Sequence, residues 1–140
     1  MNTARYNMAS IGTATAALAV GGRAPVKSEN EEWNGTAWTE KNDLNSGRHS
    51  MSSSGTTTSG LVSGGEDTAY RNLVEEWNGT CFAVQTAIGT TRGEGGGAGA
   101  SAEAALIYGG ASPPGVHALT ERWNGTAWTE VADLNQARYQ

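Results

Sequence analysis

The chain has 140 residues, a formal net charge of −5 and only 16% charged residues, with 20 glycines and three prolines. This length predicts one domain, and the glycine-rich, weakly charged composition favours an all-β protein over a helical one. The acidic balance excludes a general nucleic-acid surface, which needs clustered Lys and Arg, and no apolar run reaches the roughly 18 residues of a transmembrane helix.

The first part of the chain predicts four strands in succession. Strand one lies at about Tyr6 to Gly12, and strand two is the aliphatic run from Ala16 to Gly21. Strand three covers Asn30 to Trp33, and strand four covers Ala37 to Glu40. The dipeptide Asn34-Gly35 separates the last two strands, and because both residue types tolerate φ > 0 it predicts a hairpin with a type I′ turn.

This four-strand pattern occurs three times, with a period of about 44 residues that is typical of propeller blades. In the second and third units, strand one consists of small residues, which suits strands that crowd around a propeller axis. Each hairpin tryptophan is followed 15 residues later by an arginine. The repeated markers are the Gly-Gly pairs at 21–22, 64–65 and 109–110, the tryptophans Trp33, Trp77 and Trp123, and the arginines Arg5, Arg48, Arg92 and Arg138.

The order of these features resembles the kelch repeat: an aliphatic strand ending in Gly-Gly, a variable loop, an aromatic residue before a turn, a Trp five residues later, and an Arg. The resemblance covers the whole chain, and it departs from the family in having Trp as the first aromatic residue and Phe82 as the second one of the middle unit. It implies an all-β protein, a β-propeller of four-stranded antiparallel blades with three blades per chain. The blades, at approximately 5–47, 48–91 and 92–137, form a single repeat region over residues 1–140.

Three blades are too few to close a propeller, which needs about four to eight. The segment Asn135–Tyr139 nearly repeats Asn2–Tyr6, so the chain ends in the phase in which it begins. We therefore expect a head-to-tail homodimer that closes a six-bladed ring, since a heterologous interface must either close or polymerise. The alternative is a fragment of a longer array.

Motifs that carry chemistry are scarce. The three Asn-Gly-Thr sequons are explained by the hairpin turns, and the glycine-rich run 92–99 lacks the flanking elements of a nucleotide-binding loop. His49 and His117 are 68 residues apart and predict no metal site. The single cysteine, Cys81, takes the place of an alanine in the other hairpins and is expected to be a small buried thiol. The sequence predicts no enzyme and no cofactor.

The variable loops after the Gly-Gly pairs predict a binding face, because in a meander they share one end of the sheets with the Arg-bearing turns. The repeated arginines have two interpretations: a structural one, in which each hydrogen-bonds carbonyls or an acidic partner such as Asp43 or Asp133, and a functional one, as a ring for an anionic ligand. One Arg per blade at a fixed register favours the structural role. The binding-face candidates are Arg23, Lys27, Arg48, Tyr70, Arg71, Arg92 and His117.

The resulting prediction is a non-catalytic kelch-like propeller that acts as a binding or scaffold module. Its partners are a second copy of the chain and, by resemblance to the family, a protein segment or a carbohydrate; nucleic acid and membrane are not expected. The alternatives are a structural array component of a surface or virion assembly and, with less support, an enzyme built on a propeller. Fold analogy alone does not decide among these functions.

Overall fold

The computed structural model describes residues 1–140 and contains only strands and their connections. Three four-stranded antiparallel sheets follow one another along the chain, each with its strands in sequence order, so the all-β prediction is confirmed. There is no helix that is long and apolar enough to cross a membrane.

Sheet 1 contains β1 (Ala9–Gly12), β2 (Ala17–Gly22), β3 (Lys27–Trp33) and β4 (Trp38–Lys41). Sheet 2 contains β5 (Ser52–Thr56), β6 (Ser59–Ser63), β7 (Val74–Trp77) and β8 (Phe82–Gln85). In sheet 3, β9 (Gly96–Ser101) and β10 (Ala104–Tyr108) are followed by a separate two-stranded hairpin of β11 (Ala111–Ser112) and β12 (Gly115–Val116). The strands β13 (Thr120–Trp123) and β14 (Trp128–Val131) complete sheet 3.

The first strands of the three sheets lie side by side, with β5 between β1 and β9. Ser53 Oγ donates a hydrogen bond to Ser10 O at 2.9 Å and so joins β5 to β1. On the other side, a Cβ added to Gly97 of β9 would lie 2.3 Å from Ser53 O. The small residues of these strands are therefore required by close backbone approach, although their strand propensity is poor.

The Asn-Gly hairpins are present, but the prediction of a type I′ turn is wrong. In the first hairpin Trp33 pairs with Trp38, and the only positive φ is that of Gly35, at 93°. A positive φ at the first central residue alone is the type II′ pattern. Asn34 instead stays in line with the strand, and its Oδ1 accepts hydrogen bonds from the backbone N–H groups of Thr36 and Ala37, both at 2.9 Å.

The hydrophobic core lies between successive sheets. The aliphatic face of one sheet packs on the aromatic face of the next, because alternate residues of each strand point to opposite faces. One cluster joins sheets 1 and 2, and a second joins sheets 2 and 3. The first contains Ala9, Ile11, Leu18, Val20, Leu44, Met51, Val62, Trp77 and Phe82; the second contains Leu61, Val74, Ile88, Ala102, Ala105, Ile107 and Trp123.

Candidate functional site

Buried ion pairs connect the repeated arginines to the third strand of each sheet. Each pair joins the segment before a sheet to a glutamate on that sheet, and the side chains are at most 7% exposed. In such sites a charge needs its partner, because neither group has access to water. The pairs are Arg5–Glu31 (3.0 Å), Arg48–Glu75 and Arg92–Glu121 (2.8 Å).

Glutamate, not aspartate, is thus the partner of these arginines. The expectation of Asp43 or Asp133 is wrong: Asp43 accepts a hydrogen bond from Ser28 Oγ at 3.2 Å, and Arg138 has no carboxylate partner. The pairs Glu31-Glu32 and Glu75-Glu76 contain the missed signal. Strand alternation points one glutamate of each pair to each face, so only one of the two can meet the arginine.

Arg48 and Arg92, two of the binding-face candidates, lie inside the protein. Arg48 is fully buried, and besides Glu75 it donates to Gly64 O (3.0 Å) and Ser46 O (2.9 Å). Arg92 is 3% exposed. These guanidinium groups link neighbouring sheets and present no donor to a ligand at the surface.

The Gly-Gly pairs contact the backbone of the segments that connect one sheet to the next. Gly22 N–H donates to Arg48 O at 3.0 Å, and a Cβ on Gly21 would lie 2.4 Å from that same carbonyl. Sheets 2 and 3 repeat the arrangement with Arg92 O and Arg138 O. Both glycines also have positive φ, 61° and 123°, which only glycine adopts readily. The loops after β2, β6 and β10 therefore meet the Arg-bearing connections at one end of the sheets.

The other binding-face candidates lie at this end but do not converge on one point. Arg23 is exposed, Lys27 Nζ pairs with Glu29 at 2.9 Å, and Arg71 Nη2 pairs with Asp67 at 2.9 Å. The Arg71 hydrogen bond holds the pKa of Asp67 well below its usual range. His117 Nε2 lies 2.8 Å from Ser112 Oγ, across the β11–β12 loop.

Tyr70 lies in a cleft of about 330 Å³ between its loop and the β11–β12 hairpin. Pro113, Pro114 and Tyr139 provide apolar walls, and Glu94 contributes a carboxylate. Burial raises the pKa of the Tyr70 hydroxyl, and the charge of Glu94 adds to the effect. Flat apolar groups beside a carboxylate suit a sugar ring or a basic side chain of a protein segment.

Glu94 is a residue that the sequence reasoning missed. It lies in a run of glycines, and its φ of 59° matches that of Asn7 (54°) and Ser50 (55°) at the same repeat position. The backbone N–H of Ser50 donates to Asn7 O, and that of Glu94 donates to Ser50 O, at 2.8 and 2.7 Å. One residue per unit thus forms a chain of hydrogen bonds across the sheets, and only the third carries a carboxylate. The available signal in the sequence was the position itself, two residues after the repeated Arg in each unit.

Two sheet faces remain uncovered, one at each end of the row of sheets. Leu18 and Leu61 occupy one register position in sheets 1 and 2 and are each 1% exposed, whereas Leu106 at that position in sheet 3 is 37% exposed. At the opposite end, Trp33 of sheet 1 is only half-buried, whereas Trp77 in sheet 2 is 1% exposed. The outer face of sheet 3 is thus the aliphatic side of an inter-sheet contact, and the outer face of sheet 1 is the aromatic side. Between neighbouring sheets of the chain, the same two kinds of face cover each other.

The remaining candidate side chains are the histidines, the cysteine and the acidic residues. No three or more His, Cys, Asp or Glu side chains form a group that could hold a metal ion. His49 is buried, with Nδ1 3.1 Å from Ser50 Oγ, and burial lowers its pKa. The prediction of a buried Cys81 is wrong, because the thiol is exposed at the hairpin turn.

Comparison of the chain with protein-family models and with curated proteins finds no match. The resemblance to kelch repeats therefore depends on the repeated residues of this chain alone. Besides its repeated sheets and their ion pairs, the protein presents two surface features, which are the Tyr70 cleft and the uncovered faces of sheets 1 and 3.

Proposed function

We propose that the protein is a non-catalytic, kelch-like β-propeller module in which each sheet is one blade and two copies close a six-bladed ring. Its function is binding or scaffolding, through the loop end that carries Tyr70 and Glu94. The difference between Leu106 at 37% exposure and its counterparts Leu18 and Leu61 at 1% is the observation on which this proposal depends.

The uncovered faces complement each other in chemistry. The face of sheet 3 presents Ala98 and Leu106, and the face of sheet 1 presents Trp33 and Trp38, whose rings lie 5.7 Å apart. Within the chain, the same aliphatic-to-aromatic packing joins sheet 1 to sheet 2, where Trp77 and Phe82 form the aromatic pair at 4.9 Å. A head-to-tail dimer would repeat this contact twice and leave no blade face in water.

The Tyr70 cleft supports the binding part of the proposal. Loops that differ between the repeats line it, and variable loops on a repeated scaffold are where recognition is usually located. The ligand class is a protein segment or a glycan. A glycan and peptide array probed with the wild type and with Tyr70→Ala tests this part: a ligand that binds both proteins equally argues against the cleft.

The solution mass is the decisive measurement for ring closure. We expect a dimer of twice the 14.5 kDa chain by light scattering behind a sizing column. Leu106→Asp should abolish it, since the loss of two buried leucines in the symmetric dimer costs about 3–6 kcal/mol, roughly 100-fold or more in Kd. Val84→Asp is the matched control, because Val84 is already 63% exposed.

The other outcomes separate the alternatives. A monomer at all concentrations contradicts ring closure and favours a fragment of a longer propeller. A ladder of large species indicates that the head-to-tail contact does not close, which is the behaviour expected of a structural array component. Turnover of glycosidase or oxidase substrates by the purified protein, abolished by substitutions in the cleft, would instead favour the enzyme.

A further inference from the structure

The glutamate of sheet 1 is held by the first residues of the chain. Arg5 Nη1 pairs with Glu31 Oε1 at 3.0 Å, and the backbone N–H groups of Asn2 and Thr3 donate to the same carboxylate at 2.5 and 3.4 Å. Arg5 Nη2 also donates to Ala19 O at 3.0 Å. Both charged side chains are at most 2% exposed, so the site is closed to water.

In sheets 2 and 3 the equivalent glutamate is held by the segment that leaves the preceding sheet. Glu75 accepts hydrogen bonds from the backbone N–H groups of Asn45 (2.8 Å) and Ser46 (3.3 Å) and from Arg48. Residues 1–5 therefore do for sheet 1 what residues 45–48 do for sheet 2. They occupy the position of a connection from a sheet that would precede sheet 1.

The segment that leaves sheet 3 is placed in the same way but reaches no glutamate. Gly110 N–H donates to Arg138 O at 2.8 Å, and Arg138 N–H donates to His117 O at 3.2 Å. The backbone of Arg48 makes the equivalent two hydrogen bonds to sheet 1. The Arg138 side chain is exposed, and its Nε finds only Gln136 O at 3.4 Å. The segment that leaves sheet 3 therefore lies beside the uncovered face of that sheet, with the Arg138 side chain exposed.

The two segments are nearly the same in sequence. Asn135–Tyr139 reads Asn-Gln-Ala-Arg-Tyr, and Asn2–Tyr6 reads Asn-Thr-Ala-Arg-Tyr. In a head-to-tail dimer, both would have to lie on the single carboxylate of Glu31. Each of the three buried glutamates pairs with a single guanidinium, and the Arg5 and Glu31 side chains are at most 2% exposed, so a second segment reaches this carboxylate by replacing the first.

Given the proposed head-to-tail dimer, we propose that it closes by exchange: residues 135–139 of one copy displace residues 2–6 from Glu31 of the other copy. The first segment is then a built-in competitor that holds the site in the monomer. Exchange replaces one Arg–Glu pair by another, so it adds little electrostatic free energy. The covering of the apolar faces drives association, and competition by residues 2–6 weakens it.

Substitution of the two competing arginines gives opposite expected results. Arg138→Ala should weaken dimerisation about tenfold or more, since a charged hydrogen-bonded contact is lost from the dimer alone. Arg5→Ala should strengthen dimerisation by a similar factor, because it removes the competitor and leaves Glu31 unpaired in the monomer. The Kd values are measured by sedimentation equilibrium on the full chain. A purely structural role of Arg5 predicts a weaker dimer or none.

Hydrogen exchange of the wild type keeps the test independent of whether Arg5→Ala folds. At concentrations above the Kd, the amides of residues 2–6 should lose protection, while those of residues 135–139 gain it. Reciprocal protection together with opposite arginine effects supports the exchange, as does a dimer of Arg5→Ala beside a monomeric wild type.

The failure of exchange and the failure of the dimer are distinguishable. A wild-type dimer in which residues 2–6 stay protected, or in which both substitutions weaken association, overturns the exchange and leaves the dimer intact. A monomer for both the wild type and Arg5→Ala overturns the dimer, and the exchange with it.

Discussion

Replacement of Glu75 by Gln tests whether the buried ion pairs hold neighbouring sheets together. Glu75 is 1% exposed, and its carboxylate accepts a hydrogen bond from Arg48. It also accepts hydrogen bonds from the backbone N–H of Asn45 at 2.8 Å and from Asn45 Nδ2 at 2.9 Å. Gln keeps the size of the side chain. It removes the negative charge and leaves the Arg48 guanidinium without a counter-charge in a site closed to water.

The expected cost follows from this burial. Removal of one partner of a buried pair destabilises a protein by about 3–5 kcal/mol, a large share of the roughly 5–15 kcal/mol of a whole domain. The adjacent Glu76 is the matched control. It points to the other face of β7, is half-buried and accepts a hydrogen bond from Gln85 Nε2 at 2.7 Å. Glu76→Gln should therefore cost less than about 1 kcal/mol.

The assay is urea unfolding at neutral pH, followed by tryptophan fluorescence, with the midpoint and the slope compared between variants. A loss for Glu75→Gln no larger than that for Glu76→Gln would refute the reasoning. The double substitution Arg48→Met with Glu75→Leu should recover most of the stability, because the cost of burying two charges disappears together with the pair.

Three further predictions concern single positions. Burial lowers the pKa of His49, against the opposing charge of Glu66, so the folded state binds this proton less readily than the unfolded chain does. The free energy of unfolding should therefore fall as the pH drops below about 6.5 and level off below the folded pKa. In urea titrations, His49→Gln should remove this part of the fall. An unchanged pH profile in the variant would contradict it. Gly35→Ala places a side chain at a φ of 93° and should lower the free energy of unfolding by about 1–2 kcal/mol, whereas Thr36→Ala, beside it in the turn, should change it little; equal effects would count against the turn assignment. A thiol reagent should label the exposed Cys81 as fast in native buffer as in concentrated urea, and slow native labelling would indicate a buried thiol.

The repeat made much of the fold predictable. The 15-residue spacing from Trp to Arg and the aliphatic runs before each Gly-Gly pair located all the main strands to within a few residues. In the first unit two strand starts were misplaced by equal amounts: strand one begins at Ala9 and not at Tyr6, and strand three begins at Lys27 and not at Asn30. The extension of strand three depends on the pairing of Lys27 with Gly22 across a bulge, which no local pattern in the sequence encodes.

The candidate site was less predictable. Tyr70 was identified from its variable loop, but Glu94 was not, because a charged residue within a run of glycines gives no local signal of its neighbours. The arginines were identified as repeated, yet their partners lie 26 to 29 residues away on a different strand. Which glutamate of each adjacent pair faces inward depends on the register of β3, β7 and β13 against their neighbours.

The sequence by itself determined the class of fold, the number of repeated units and the positions of the turns, because side-chain alternation and turn chemistry act between residues close along the chain. Only the tertiary structure decided that Arg48 is buried while Arg138 is exposed, and that Leu61 is covered while Leu106 is not. Each of these pairs has the same residue type at the same position of the repeat. Their difference comes from whether another sheet lies against them, and burial is a property of that neighbour and not of the local sequence.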